Sequence, residues 1–183
     1  EADVWTECES GDLVEGLVDG NRTFDVRAQD AAGNKDNTDS FAWERDTTEP
    51  EFEITSGPEE GDWTNLRRPT WEYTESDPNP IADDKNLLAA TTTCQIDSGT
   101  TVSDCPSLWT APSFLNDGPR KLTLTVQDAA GNTGTEIVNF TVATTSPAAF
   151  LEETPENPSG SDASFEFMSS SELGPEGKFQ CRT

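Results

Sequence analysis

Histidine is absent from this chain of 183 residues, and lysine and arginine together number only 11. Without an imidazole, neither a Ser-His-Asp nor a Cys-His nucleophile can be assembled. Zinc loses a common ligand as well. Against the few basic residues stand 36 aspartates and glutamates, a net charge of −25. Such a surface repels nucleic-acid phosphates and anionic lipid heads, so neither nucleic acid nor a membrane surface is an expected partner. No apolar run approaches the roughly 18 residues of a membrane helix, and no glycine-rich phosphate loop occurs. Carboxylates are everywhere, but no pair of them sits in a hydrolase motif. The expectation is a non-enzymatic protein. Excess carboxylate suits solvation in high salt, or the collection of divalent cations such as Ca²⁺. Hydrophobic residues make up 32%, little for one large core but enough for small sandwiches that bury one face of each strand. The chain opens on Glu1 with no signal-peptide pattern, which reads as a processed polypeptide or a segment of a longer one.

What is present is a repeat. Asp30-Ala31-Ala32-Gly33-Asn34 returns 98 residues later as Asp128-Ala129-Ala130-Gly131-Asn132. Asp19-Gly20-Asn21-Arg22 and Phe24-Asp25-Val26-Arg27 align with Asp117-Gly118-Pro119-Arg120 and Leu122-Thr123-Leu124-Thr125. Thr47-Thr48-Glu49-Pro50 aligns with Thr144-Thr145-Ser146-Pro147, and a new unit begins after each proline. Trp71-Glu72-Tyr73 has its counterpart in Phe165-Glu166-Phe167, and Cys94 in Cys181. The expected organisation is therefore a back half at 1–50, a complete repeat at 51–147 and a front half at 148–183. Thr183 followed by Glu1 would rebuild a whole unit, its cysteines 10 apart against 11 for Cys94 and Cys105.

Lys121 to Gln127 alternates Leu122, Leu124 and Val126 with polar residues, the period of a half-buried strand, and Phe24, Val26 and Ala28 do the same. Ile137 to Val142 reads as the next strand, burying Val138, Phe140 and Val142. Between such strands Asp-Ala-Ala-Gly-Asn supplies a turn, since Gly and Asn tolerate positive φ and Asp closes an Asx turn. No helical period appears anywhere, which predicts an all-β sandwich. The series of strand, Asp-Ala-Ala-Gly-Asn, strand and Thr-Thr-x-Pro resembles the bacterial immunoglobulin-like repeats of large surface proteins and adhesins. That resemblance implies tandem seven-stranded immunoglobulin-like or fibronectin III-like sandwiches, extracellular or on the cell surface. The favoured function is a structural module of a long filament or stalk, partnered head to tail by further copies of itself. The alternative is an adhesin domain that binds a ligand. Its one candidate surface is Ser76 to Leu88, an insertion with Asp77, Asp83 and Asp84.

Four cysteines carry the clearest chemistry. Cys94 and Cys105 bracket a short loop after a strand, which predicts a disulfide and an oxidising compartment. The competing metal-site reading lacks His and any Cys-x-x-Cys pair. Cys8 and Cys181 form the same pair divided between the chain's two ends, where an intrachain bond is expected to be out of reach. The Asp-Ala-Ala-Gly-Asn turns keep two readings. Their Asp and Asn satisfy local backbone groups, or, as the adhesin resemblance implies, they help hold Ca²⁺ at a junction between repeats. Asp30 with Asp46 of the linker fits that second reading. Asp128 fits it less well, because Ala143 stands where the linker aspartate would be. Trp71 and Trp43 align with Phe165 and Phe140 and are expected in cores. Trp63 and Trp109 are expected against a neighbouring strand or domain. Asn21 and Asn139 open glycosylation sequons, which matter only in an organism that glycosylates.

Overall fold

The computed structural model describes residues 5–78, 91–155, 162–175 and 177–182. The insertion is described only as far as Pro78, so Asp83 and Asp84 lie outside the described residues. The described residues form strands and no helix. The chain is all-β. In order the strands are β1 (Gly20–Val26), β2 (Asp39–Arg45), β3 (Glu51–Ser56), β4 (Trp63–Thr64), β5 (Thr70–Ser76) and β6 (Thr91–Ile96). After these come β7 (Val102–Ser103), β8 (Leu108–Thr110), β9 (Gly118–Gln127), β10 (Thr133–Val142), β11 (Ala149–Glu153) and β12 (Glu166–Ser169). Between 51 and 147 they make a three-stranded sheet, β3-β5-β8, and a five-stranded sheet, β4-β10-β9-β6-β7. Two hairpins, β1-β2 and β11-β12, form sheets of their own.

The chain divides into two compact units. One joins Glu1–Phe52 to Glu75–Thr91 and Thr125–Gly134; the other holds Glu53–Thr74, Thr92–Leu124 and Thr135–Thr183. The second unit carries most of the core, and alternation explains its contents. Leu122 and Leu124 of β9, and Val138, Phe140 and Val142 of β10, turn to the interior while their neighbours face out. Each side chain so buried contributes about 1.5–3 kcal/mol. Trp71 of β5 anchors the facing sheet. It pairs in register with Trp109 of β8, stacks on that indole at 5.9 Å, and meets Phe140 edge-on at 5.3 Å. Its Nε1 donates to the Pro58 carbonyl at 3.0 Å, so the one polar atom of a fully buried ring is satisfied. Trp109 is thus a core residue, and of the two expected contacts, strand or domain, it has the neighbouring strand.

Parallel pairing of Thr141 with Trp63 brings β4 to the edge of the five-stranded sheet, although β3, just before it, belongs to the other. On one flank of Trp63 lies Gly174, whose missing Cβ would come within 2.9 Å of the indole. Trp43, expected in a core, is half-buried and stacked on Phe41 at 6.2 Å. Both β1-β2 and β11-β12 expose apolar side chains, among them Phe24, Phe41, Phe150 and Phe167.

Candidate functional site

The two Asp-Ala-Ala-Gly-Asn turns share most of their hydrogen bonds. In each, the Asp amide donates to the Asn carbonyl, at 2.9 Å for Asp30 and 3.1 Å for Asp128. The Asn amide returns to Asp Oδ1 at 2.8 Å in both, and the Asn side-chain Nδ2 reaches Oδ2 at 2.8 Å in one and 2.9 Å in the other. Gly33 and Gly131 take φ of 88° and 96°, a left-handed backbone that glycine adopts without steric cost. Hydrogen bonds from the Asn34 side chain and backbone hold the Asp30 carboxyl below its usual range.

A second constellation also recurs. Asp19, just before β1, accepts from the Thr47 amide at 3.1 Å and hydroxyl at 2.9 Å, and from the Thr48 hydroxyl at 3.3 Å. Asp117, just before β9, accepts from the Thr144 hydroxyl at 2.6 Å, and from the Thr145 amide at 3.1 Å and hydroxyl at 2.8 Å. In each copy a carboxylate clamps the threonine pair that follows the next strand. Arg22 and Arg120 add a matching link, each reaching back to the carbonyl four residues earlier. Asp19 is also paired with Arg45. The Thr144 and Thr145 hydroxyls pull the Asp117 carboxyl down to about 2 from 3.8.

The Asp117 clamp has a pH signature. Its folded pKa is depressed, so its stabilisation is fully present above 3.8 and is lost as pH falls toward about 2. Asp117→Asn should lower the melting temperature at neutral pH, and the difference from wild type should shrink as pH falls through that window. A difference that stays constant down to the acid limit would show that the clamp does not depend on charge.

Asp46, at the end of β2, lies with Asp77 and Asp128, one carboxylate oxygen of each within 4.8 Å of the others. Asp128 is buried and the other two half-buried. The Asn132 side chain spans 3.4 Å to the Asp46 carbonyl, and Gly134 lies so close to Pro50 that a Cβ would stand 1.8 Å from its carbonyl oxygen. The turn at Asp128 to Asn132 therefore meets the segment from Asp46 to Pro50. Asp46 was expected beside Asp30. The structure groups it instead with Asp77 and Asp128, while the exposed Asp30 is occupied by its own turn. Spacing along the chain does not reveal which of two linkers a turn will face. Asp77 was visible in the sequence only as part of an insertion.

Three carboxylates at this separation fit a hard divalent cation. Oxygens 2.3–2.6 Å from Ca²⁺ lie up to about 5 Å from one another. The all-oxygen donor set disfavours zinc and copper. Asp128 would have to share its oxygens with Gly131 and Asn132, which already donate to them.

Cys94 and Cys105 are joined by a disulfide, with Cα atoms 6.1 Å apart, and the Tyr73 hydroxyl donates to the Cys105 carbonyl at 3.0 Å. Cys8 and Cys181 are exposed thiols. Reducing the Cys94–Cys105 bond should cost about 2–3 kcal/mol by the entropy of an 11-residue loop. Guanidinium titration with and without reductant measures it, and the reduced repeat should stay folded. Of the sequon residues, Asn139 holds Glu60 through its side-chain nitrogen at 3.2 Å.

No family model matches the chain and no curated protein matches it. Among solved structures, it is similar to a crystal structure of a tetra-tandem repeat from the extending region of a large adhesion protein, at 16% identity and a TM-score of 0.36. The match covers 88% of this chain, which spans 47% of that one.

Proposed function

We propose that this chain is a non-catalytic structural module of a long extracellular filament or cell-surface stalk, built from immunoglobulin-like sandwiches in tandem. The observation that carries this reading is that one hydrogen-bond pattern occurs twice along the chain. Asp19 and Asp117 each clamp a threonine pair, and Asp30 and Asp128 each close the same turn. A unit copied with its internal bonds intact is what a solenoid or array requires, because each copy repeats the same local solution. The disulfide supports an oxidising compartment, and the acidic surface supports solubility outside the cell. Gold-labelled antibody against residues 51–147, applied to intact cells of the source, should decorate filaments or the cell surface. Label found only after the cells are opened would overturn the reading.

In this reading Ca²⁺ held by Asp46, Asp77 and Asp128 ties the linker to the repeat it enters. A site that binds only the folded state adds stability by mass action, about 2.7 kcal/mol when free ion is 100 times its dissociation constant. Calcium should then raise the melting temperature and a chelator lower it, and Asp128→Asn should abolish the difference. Identical melting curves in calcium and in chelator would remove the ion from the proposal.

A further inference from the structure

Aspartate is followed by glycine twice in this sequence, at Asp19-Gly20 and Asp117-Gly118, and asparagine is never followed by glycine. Asp-Gly is the step at which a polypeptide backbone isomerises most readily, because glycine has no side chain to shield its amide nitrogen. That nitrogen attacks Cγ of the aspartate. A Cγ–N bond forms and a Cγ–O bond breaks. The oxygen leaves as water, with one proton from the amide and one from the carboxyl. The five-membered succinimide then takes up water again. Opening on one side restores aspartate; opening on the other leaves isoaspartate, in which the chain runs through the side chain with no net change in mass. Both steps lie where a strand begins, Gly20 opening β1 and Gly118 opening β9. An extra backbone atom there would put the strand out of step with its partner.

The fold cannot discard these glycines cheaply. Gly20 and Gly118 take φ of 122° and 120°, where other residues are strained. The labile step is therefore built in, and each one is held by a threonine pair. At Asp117, Oδ1 accepts from the Thr144 hydroxyl at 2.6 Å, while Oδ2 accepts from the Thr145 amide at 3.1 Å and hydroxyl at 2.8 Å. The Thr144 oxygen in turn accepts from Arg67 Nε at 3.2 Å, so its single proton is left for Asp117. At Asp19, the Thr47 hydroxyl and Arg45 hold Oδ1, and the Thr47 amide and Thr48 hydroxyl hold Oδ2.

Two physical effects follow for ring closure. The oxygen has to leave as water, so closure runs through the protonated carboxyl. Hydrogen bonds from Thr144 and Thr145 bring Asp117 from 3.8 down to about 2, which makes that acid form roughly 60-fold scarcer at neutral pH. Closure also needs a side-chain torsion away from the staggered positions, and bonds at both oxygens oppose that rotation.

We propose that each threonine pair protects the Asp-Gly bond it holds from isomerisation, and that Asp19 and Asp117 become sites of isoaspartate only when their clamps open. The clamps then guard the covalent chain as well as the fold, and isoaspartate records which copies have opened. The reaction needs no partner but water and does not depend on the filament reading.

The test ages the full chain for weeks in warm, neutral buffer. Peptide mapping with electron-transfer fragmentation locates isoaspartate, and enzymatic methylation of the isoaspartyl carboxyl counts it. Denatured wild type should isomerise at both steps, and folded wild type at neither. Thr144→Val with Thr145→Val keeps the side-chain shapes and removes both hydroxyls. Asp117 should then isomerise about tenfold faster or more, while Asp19 in the same chain stays at the wild-type level. Val138→Ala weakens the core with the clamp intact, and should age like wild type. Folded wild type that isomerises at Asp117 as fast as the denatured chain would overturn the proposal, as would a threonine variant that ages like wild type. Val138→Ala keeping pace with the threonine variant would also overturn it, assigning the protection to folding in general.

Discussion

Replacing Trp71 with alanine should destabilise the middle repeat by about 3–5 kcal/mol, the range for removing a large aromatic from a close-packed core. The side chain is fully buried, and three contacts are lost together: the stack on Trp109, the edge contact with Phe140 and the hydrogen bond to Pro58. The last loss leaves a carbonyl without its donor in a dry interior, which adds to the cavity cost. A domain of this size has only about 5–15 kcal/mol in total, so Trp71→Ala leaves it near the edge of folding. Trp71→Phe keeps most of the volume and sacrifices the hydrogen bond, and should fall between the two. Guanidinium midpoints followed by near-ultraviolet circular dichroism would rank the three. A cost for Trp71→Ala below about 1 kcal/mol, the level of ordinary surface changes, would mean that Trp71 does not join the two sheets.

The second large effect is expected where the linker meets the turn. A methyl group on Gly134 would stand 1.8 Å from the Pro50 oxygen and 2.8 Å from its carbon. Both obstacles are backbone, and proline limits how the linker can yield. Gly134→Ala should therefore cost about 3 kcal/mol, at the top of the usual range for overpacking. The same shift would move the backbone at Asp46, so the calcium response proposed above should weaken in this variant even though no carboxylate has changed. Normal stability with an unaltered calcium response would show that the close approach is not maintained in solution.

Gly134 also marks a limit of reading the sequence. A glycine inside a strand pattern signals that something approaches the backbone closely, yet nothing in Thr133-Gly134-Thr135 names Pro50, far away in the chain, as the neighbour. By contrast, the apolar buried faces of β9 and of β10 from Val138 onward were legible, because alternation such as that of Leu122, Leu124 and Val126 is a local property. The turns were legible for the same reason, their chemistry lying within five residues. Trp109 does lie against a neighbouring strand as expected, but its burial was not legible because β8 is three residues long, too short to show a period. Asp77 escaped as a partner of Asp46 because long-range proximity, unlike alternation, has no signature in one sequence. The threonine pairs were recognised as linker sequence, but their clamp to Asp19 and Asp117 needed coordinates to be seen.

The disulfide has a consequence for a molecule under tension. If a filament is pulled until its middle repeat opens, the chain between Cys94 and Cys105 cannot lengthen with the rest. Those residues would otherwise add roughly 30 Å of reach beyond the 6.1 Å that separates the two Cα atoms. A reducing medium would release that hidden length and an oxidising one would lock it away, so redox conditions set how far each opened repeat can stretch.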